Sequence, residues 1–254
     1  MLIKYLRVYQ VTLYSKPCRN YNATILSLVK QLNLITTLNK VCQLLALQGK
    51  QGYIVGGFIR DWLLERETND IDIAVNSDAL SIAQKVAQIL GGKFVLLDEV
   101  NNIARVAILA QGKQWHLDFS SFSGDIESDL ARRDFTIDAM ATELGQLNVS
   151  HEAMKQSQLK LIDPFSGEED LKNKVVRAVS EQVFEADAVR LLRAIRLAAE
   201  LSFTIEPKTE SLIRRYSQLI KKVPGERVRE ELLRLLVLPG AAHYLKYLDE
   251  LGLL

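Results

Sequence analysis

The chain has 254 residues, of which 48% are hydrophobic and 25% are charged, and its formal net charge is +1. This composition excludes a disordered or fibrous chain, and the balanced charge excludes a basic nucleic-acid-binding surface spread over the whole molecule. Two cysteines and three histidines are too few and too scattered for a disulfide framework or a zinc site, and no apolar run is long enough to span a bilayer. We therefore expect a cytoplasmic protein of one large or two small domains.

The N-terminal region contains an extension followed by helices. Residues 1–22 include an alternating apolar and polar stretch without the long apolar segment of a signal peptide, so we interpret them as an N-terminal extension, with organelle targeting as the alternative. From Ala23 to Leu47, apolar residues recur at helical spacing. This periodicity predicts one or two amphipathic helices packed beside a sheet.

The stretch from Tyr53 to Val75, YIVGGFIRDWLLERETNDIDIAV, carries the most informative pattern in the chain. β-forming residues precede Gly56 and Gly57, and apolar residues then follow at helical spacing from Phe58 to Leu64, which predicts a strand, a glycine turn and a helix. The first backbone N–H groups of a helix have no intrahelical partner and favour an anion. We therefore predict a phosphate site at Gly56 and Gly57, with Arg60 as an additional forked donor.

Two acids, Asp70 and Asp72, alternate with Ile in the next predicted strand, which places them on one face. Residues two apart on a strand have α-carbons roughly 6.5 to 7 Å apart, so both carboxylates can reach one or two hard cations such as Mg²⁺. A pair of such ions stabilises the attacking and leaving oxygens in phosphoryl transfer. The alternative is a solvated strand edge whose charges discourage aggregation.

The elements that follow are expected to support this site. A helix is predicted between a cap at Asn76 to Asp78 and the glycines Gly91 and Gly92, and Phe94 to Leu97 is predicted to be a short strand. Arg105 to Leu109 and Trp115 to Phe119 are predicted to form a hairpin.

A lone acid, Asp118, interrupts the second strand of this hairpin. A buried carboxylate is costly unless it is paired or binds a metal. Asp118 is therefore a candidate third carboxylate beside Asp70 and Asp72, and an exposed edge acid is the alternative.

The C-terminal third is predicted to be helical. Glu185 to Leu201 is interpreted as one helix, and Lys208 to Tyr216 and Arg227 to Val237 as two more. In the first of these helices, charged residues recur at every third position: Asp187, Arg190, Arg193 and Arg196. These residues either bind a ligand or form salt bridges on the helix surface, which contribute little to stability.

Four stretches together resemble class II tRNA nucleotidyltransferases and bacterial poly(A) polymerases, which are template-independent members of the polymerase β-like nucleotidyltransferase superfamily. GGFIRDWLLERETNDIDI resembles their first motif, ARRDFTIDAMA their second, LIDPFSGEEDL their connector and ADAVRLLRAIRLAAEL their fourth motif. The chain departs from the family pattern at Asp138, where Asn is usual, and at Ala186, where Glu is usual.

The resemblance implies an α+β fold. A nucleotidyltransferase head of mixed β-sheet with flanking helices would occupy residues 23–160, and an all-α neck and partial body would occupy residues 161–254. Family members normally continue into a tail that grips tRNA, so we expect a fragment with a missing C-terminal tail, a minimal form, or a protein that depends on an additional RNA-gripping partner.

The resemblance also implies roles for individual residues. Asp70 and Asp72 would bind Mg²⁺, and Arg132 and Arg133 would bind the triphosphate. Asp187 and Arg190 would hydrogen-bond the Watson–Crick edge of the incoming base, while Arg193 and Arg196 would face the triphosphate or the RNA end.

The implied activity is the addition of C, A or both from CTP and ATP to the 3′ end of tRNA, with release of pyrophosphate. The short segment between Phe119 and Asp129 resembles that of CC-adding members. A poly(A) polymerase shares every motif and is the first alternative. A non-catalytic RNA- or nucleotide-binding protein is the second.

Overall fold

A computed structural model describes Leu34 and residues 36–110, 112–148 and 160–254. The predicted N-terminal extension at residues 1–22 lies outside the described residues, as does most of the predicted helical segment before residue 36. Within the described ranges, no helix is long and apolar enough to cross a membrane.

Six strands form one mixed sheet: β1 (Gly52–Val55), β2 (Asp70–Val75), β3 (Lys93–Asp98), β4 (Ile103–Ala110), β5 (Lys113–Ser121) and β6 (Ala141–Glu143). Their spatial order is β3-β4-β5-β2-β1-β6. Strands β2 and β5 run parallel, and the other neighbouring pairs are antiparallel. The predicted mixed sheet is therefore confirmed, and the strand with the two acids lies in its interior.

Helices of the head pack on this sheet: α1 (residues 36–47), α2 (Gly57–Leu63), α3 (Ala79–Leu90) and α4 (Ile126–Leu130). Helix α3 begins as predicted, because the Asp78 carboxylate accepts a hydrogen bond from the N–H of Leu80, and it ends at Gly91 in the left-handed conformation. In β2, Ile71 and Ile73 are fully buried. Since side chains alternate along a strand, Asp70 and Asp72 project from the opposite face.

The connector between head and neck is held by two buried or partly buried acids. The Asp163 carboxylate accepts hydrogen bonds of 2.7 and 2.9 Å from the first two N–H groups of α5 (Gly167–Asn173). Asp170 accepts a hydrogen bond of 2.7 Å from the Thr136 hydroxyl and another of 2.9 Å from Nε of Arg177. These hydrogen bonds give the connector a structural role.

Five helices make up most of the remaining chain: α6 (Val183–Ala186), α7 (Arg190–Leu201), α8 (Pro207–Tyr216), α9 (Gly225–Leu236) and α10 (Ala241–Glu250). The region is not purely helical, because β7 (Val175–Val176) pairs in parallel with β8 (Thr204–Ile205). The single helix predicted from Glu185 to Leu201 is also divided into α6 and α7.

Helix α7 joins the neck to the head through polar contacts. Nε of Arg193 donates to the Asp134 carboxylate, and Nη2 of Arg190 donates to the backbone carbonyl of Arg132 at 2.9 Å. At the other end of α7, Nη2 of Arg66 lies 3.2 Å from Oε1 of Glu200. These contacts fix the position of α7 relative to the head motifs.

Candidate active site

The bend between β1 and α2 brings the predicted phosphate cradle against one of the two predicted metal-binding acids. Gly56 has φ +72° and ψ −143°, a combination that other residues rarely adopt. A β-carbon built on Gly56 would lie 2.7 Å from Nη1 of Arg133 and 3.0 Å from Oδ2 of Asp72. In the described part of the chain, no side chain caps α2, which begins at Gly57. The bend therefore combines a helix start with a close approach that only glycine permits.

The pairing of β2 with β5 sets the neighbours of both acids. In the parallel register, Asp70 lies beside His116 and Asp72 lies beside Asp118. Oδ1 of Asp70 is 2.8 Å from Nδ1 of His116. Asp70 is exposed, whereas Asp72 is partly buried next to the glycine bend. The two acids thus share a face of the sheet, as the alternation with Ile predicts.

Asp118 is paired with Arg105 from β4. Nε of Arg105 donates to Oδ1 and Nη2 donates to Oδ2, both at 2.7 Å. This pairing explains how a carboxylate is tolerated in a core strand. Within the described residues, no group of three or more His, Cys, Asp or Glu side chains is arranged to hold a metal ion. A ligand role for Asp118 stays a prediction, and the hydrogen bonds from Arg105 leave a second lone pair on each oxygen.

Asp72 has the electrostatic properties of a cation ligand. Burial raises the pKa of Asp72 to about 6; the positive charge of Arg133 opposes this shift, and the negative charge of Asp118 adds to it. Among the described residues, its carboxylate has no hydrogen-bond or ion-pair partner. A divalent cation would supply the missing positive charge, so the donor set of Asp72 and the neighbouring Asp70 fits such an ion.

Arg60 is buried and ion-paired, and its guanidinium lies against the glycine bend, where a β-carbon built on Gly57 would be 3.3 Å from Nη2. Its side chain is 8% exposed, its Nη1 donates to Oδ1 of Asp138 at 2.7 Å, and its Nε and Nη2 donate to Asp61 at 3.1 and 2.9 Å. The phosphate role of Arg60 stays a prediction: among the described residues, two carboxylates accept from Nε, Nη1 and Nη2, and each Nη atom carries one further N–H group.

Asp138 is the acceptor in this network. The residue is 3% exposed, and burial raises the pKa of Asp138 although Arg60 opposes the shift. Its Oδ2 has no hydrogen-bond partner in the described part of the chain, and Nη2 of Arg193 lies 3.8 Å from it. The negative charge at this departure from the motif is therefore held between two guanidinium groups and points away from solvent.

Arg132 and Arg133 directly follow the end of α4. Asp129, in the last turn of α4, pairs with Nη2 of Arg132 at 2.7 Å and with Nη2 of Arg133 at 3.4 Å. Arg132 is largely exposed, whereas Nε of Arg133 is buried without a partner among the described residues. The guanidinium groups of Arg132 and Arg133 are thus both held by the carboxylate of Asp129.

A polar cleft of about 530 Å³ opens between the head and the neck. It is lined by Asp129, Arg132, Arg133, Asp134, Asp187, Val189, Arg190, Arg193, Arg227, Glu230, Glu231 and Arg234. Arg133 belongs both to this lining and to the glycine bend, so one side chain connects the cleft with Asp72. The cleft size suits a nucleotide.

Asp187 lies in the break between α6 and α7, which corrects the prediction of a continuous helix. Its backbone is extended, with φ −154° and ψ 103°, and Oδ1 accepts a hydrogen bond of 3.3 Å from the N–H of Val189. Local bonds of this kind compete with helical hydrogen bonding. The break turns the Asp187 carboxylate into the cleft, whereas Arg190 begins the next helix.

The structure separates Arg193 from Arg196. Arg193 lines the cleft and pairs with Asp134, and the negative charge of Asp134 raises the pKa of Arg193. Arg196 is buried and donates to Glu231 of α9 and Glu200 of α7, so it connects helices and does not line the cleft. The nucleotide role predicted for Arg196 has no support in this geometry.

Sequence reasoning missed Arg105, His116 and Arg227 at this site. Arg105 and His116 lie in the predicted hairpin. The hairpin register could have predicted that Arg105 lies opposite Asp118. The contact of His116 with Asp70 could not have been predicted, because it depends on the parallel pairing of β5 with β2. Arg227 lies forty residues from Asp187, and its Nη1 and Nη2 both donate to that carboxylate. No local pattern distinguishes Arg227 from the other charged residues of α9.

Replacing Gly56 by Ala is expected to lower both stability and any activity, because the new methyl group strains the backbone by about 1–3 kcal/mol and displaces Asp72 or Arg133. Thermal melting and nucleotide incorporation measure the two effects. Gly112→Ala is the matched control, since Gly112 has the same φ of +72° and a β-carbon added there would meet nothing within 4 Å. Equal losses in the two variants would mean that the contacts of Gly56 have no role.

Comparison with known proteins places this geometry in a family. Residues 52–177 match the model of the poly A polymerase head domain, and residues 202–254 match the model described as the probable RNA and SrmB-binding site of polymerase A. A CC-adding tRNA nucleotidyltransferase from Geobacter sulfurreducens is 41% identical over 197 residues, which are 77% of this chain and 43% of the relative. The chain belongs to the tRNA nucleotidyltransferase and poly(A) polymerase family.

Further members agree with this assignment. An A-adding tRNA nucleotidyltransferase from Deinococcus radiodurans is 39% identical over 206 residues, which are 79% of this chain and 43% of the relative. The structure of a Thermotoga maritima CCA-adding enzyme complexed with tRNA matches with a TM-score of 0.72 and 32% identity, covering 88% of this chain and 51% of that one. The chain thus spans about half the length of the family members it matches.

Proposed function

We propose that this protein is a template-independent RNA nucleotidyltransferase that adds C, A or both from CTP and ATP to the 3′ end of tRNA. The observation that carries the proposal is that Asp72 and Arg133 both lie against the glycine bend, at one end of a cleft lined by arginines. The names of the related proteins, which include CC-adding, A-adding and CCA-adding enzymes, support the choice of nucleotides and of tRNA. Two cysteines without a disulfide spacing support a cytoplasmic location.

In the proposed reaction, the 3′-hydroxyl oxygen of the primer forms a bond to the α-phosphorus of the nucleotide. The bond between that phosphorus and the α,β-bridging oxygen breaks, pyrophosphate leaves and the hydroxyl proton passes to solvent. Asp70 and Asp72 would hold Mg²⁺, which neutralises negative charge on the phosphates when it is bound. Arg132 and Arg133 bind and orient the triphosphate, so the protein acts through positioning and charge.

Base choice is assigned to Asp187 and Arg190. A carboxylate accepts hydrogen bonds only, so Asp187 selects the exocyclic amine that C and A share and disfavours the carbonyl of U. Arg190 donates from Nη1 to the carbonyl of Val183 at 3.3 Å and from Nη2 to that of Arg132 at 2.9 Å, which leaves its other N–H groups for a base acceptor.

The test is incorporation of radiolabelled CTP or ATP, supplied separately and together, into tRNA transcripts that end before CCA, after C and after CC. We expect short additions whose length depends on the transcript and on the nucleotide supplied. UTP and GTP serve as negative controls, which should not be incorporated.

Two other outcomes point to the alternatives. Long tails made only from ATP would identify a poly(A) polymerase and exclude the tRNA proposal. Binding of tRNA or nucleotides without incorporation under any of these conditions would identify a non-catalytic binding protein. The contact of Asp72 with the glycine bend disfavours the second outcome, since binding alone does not require a partly buried acid at that position.

A further inference from the structure

Arg227, in helix α9, forms two hydrogen bonds with the carboxylate of Asp187, the residue to which recognition of the base is assigned. Nη1 of Arg227 donates to Oδ1 of Asp187 at 3.0 Å, and Nη2 donates to Oδ2 at 2.8 Å. Such a fork fixes the plane of a carboxylate, which a single contact does not. Arg227 also lines the cleft, beside Arg190 and Arg193.

Asp187 needs an external support of this kind. It stands in an extended break between two helices, and the hydrogen bond that it accepts from the N–H of Val189 is a long one of 3.3 Å. The preceding residue, Ala186, has no functional group that could hold it. The carboxylate is therefore free to rotate about its side-chain bonds unless Arg227 holds it.

The two hydrogen bonds from Arg227 also determine which acceptor positions of the Asp187 carboxylate remain for a base. Each carboxylate oxygen accepts about two hydrogen bonds. On Oδ1, Arg227 and the N–H of Val189 fill this capacity, whereas on Oδ2 Arg227 leaves one position open. The Asp187 side chain is 30% exposed in the cleft, so this position is accessible. A single fixed acceptor matches one exocyclic amine donor.

We propose that Arg227 is a positioning residue that determines nucleotide specificity by orienting Asp187. In this arrangement a base with an amine at the reading position, such as C or A, gains a hydrogen bond. A base with a carbonyl there, such as U, meets a carboxylate that cannot turn away. The inference rests on the proposed function of the cleft, and it makes base choice depend on the body helix as well as on the neck.

The experiment measures binding and turnover separately. Titration calorimetry with CTP, ATP and UTP needs neither tRNA nor chemistry, and steady-state incorporation gives kcat and KM for each nucleotide. The variants are Arg227→Ala, which removes the fork, and Arg227→Lys, which keeps the charge without the fork. Arg229→Ala is the matched control, because Arg229 is an exposed arginine of the same helix and is not part of the cleft lining.

We expect Arg227→Ala to weaken binding of CTP and ATP about tenfold or more, to raise KM more than it lowers kcat, and to reduce the preference for CTP over UTP by a similar factor. Arg227→Lys should recover affinity in part but not the preference. Arg229→Ala should match the unmodified protein. The preference is a ratio within one preparation, so partial unfolding of a variant does not change it.

The inference would be overturned if the preference of Arg227→Ala for CTP over UTP lay within twofold of that of the unmodified protein. It would also be overturned if the unmodified protein bound UTP as tightly as CTP and ATP. Loss of the preference in Arg229→Ala would also contradict it. If the unmodified protein binds CTP selectively but incorporates nothing, the proposed function fails, while the calorimetric comparison still decides the role of Arg227.

Discussion

Replacing Asp72 by Asn is expected to abolish nucleotide incorporation and, at the same time, to stabilise the metal-free protein above pH 7. Incorporation should fall on the order of 10³-fold, because an amide is a poor ligand for a divalent cation and carries no charge. The stability gain has a separate cause. Burial raises the pKa of Asp72 from 3.8 to about 6, so its ionisation in the folded protein costs free energy.

The pH dependence of this gain follows from linkage. The folded protein binds the Asp72 proton more tightly than the unfolded chain, so the destabilisation is absent below about pH 4, grows between pH 4 and 6, and is complete above pH 6. Asp72→Asn removes it, which should raise Tm by about 2–6 °C at pH 7.5 in the presence of a chelator and by less at pH 5. Thermal melting across this pH range measures the effect.

The matched comparison is Asp118→Asn, in the neighbouring strand. This change removes charge from a carboxylate that Arg105 grips with two bonds of 2.7 Å, so Tm should fall. The two variants should therefore shift Tm in opposite directions. A Tm for Asp72→Asn below that of the unmodified protein at pH 7.5 would show that the Asp72 carboxylate is not strained by burial.

Removing the Asp138 carboxylate is expected to cause the largest loss of stability among these variants. Asp138→Ala leaves the buried guanidinium of Arg60 without one of its two acidic partners, and breaking a buried ion pair in this way costs about 3–5 kcal/mol. For a chain of this size, Tm should fall by about 10 °C. Denaturant unfolding and thermal melting provide the measurement.

Asp138→Asn separates charge from hydrogen bonding at the same position. The amide oxygen can still accept from Nη1 of Arg60, and the change restores the residue that the family motif usually has, so we expect a smaller loss and retained incorporation. Asp249→Ala, at an exposed position of α10, is the control and should leave Tm unchanged within about 1 °C. A loss in Asp138→Ala no larger than in this control would exclude a stabilising role for the Arg60–Asp138 pair.

Together these variants separate two uses of buried charge near one bend. Asp72 lacks a partner among the described residues, and its burial suits a cation that the protein itself does not supply. Asp138 is also buried, and its pKa is also raised although Arg60 opposes the shift, but its carboxylate accepts a hydrogen bond from the buried guanidinium of Arg60, so its role is to hold α2 against the second motif. The same residue type therefore has different expected effects on stability, because removing Asp138 leaves the buried Arg60 without one of its two acceptors, whereas no described residue donates a hydrogen bond to Asp72.

The local features of the fold could be predicted from sequence because each depends on short-range periodicity. The β1-bend-α2 unit, the capped helix α3, the hairpin of β4 and β5, and the shared face of Asp70 and Asp72 all follow from alternation, helical spacing and glycine positions. The same reasoning failed at Asp187, where a helical pattern continues through a break. The helical spacing of apolar residues cannot show that the Asp187 side chain accepts hydrogen bonds from a nearby backbone N–H group and from the distant Arg227.

Amino-acid order by itself determined the main strands and helices of the head, which face of β2 carries acids and where a glycine bend lies. Packing in three dimensions decided which charges meet: Arg60 with Asp138, Arg105 with Asp118, and Arg227 with Asp187. Periodicity fixes the direction of a side chain relative to its own element, whereas its partner depends on how separate elements come together. For that reason the acids of the site could be named in advance, but the arginines that neutralise or orient them could not.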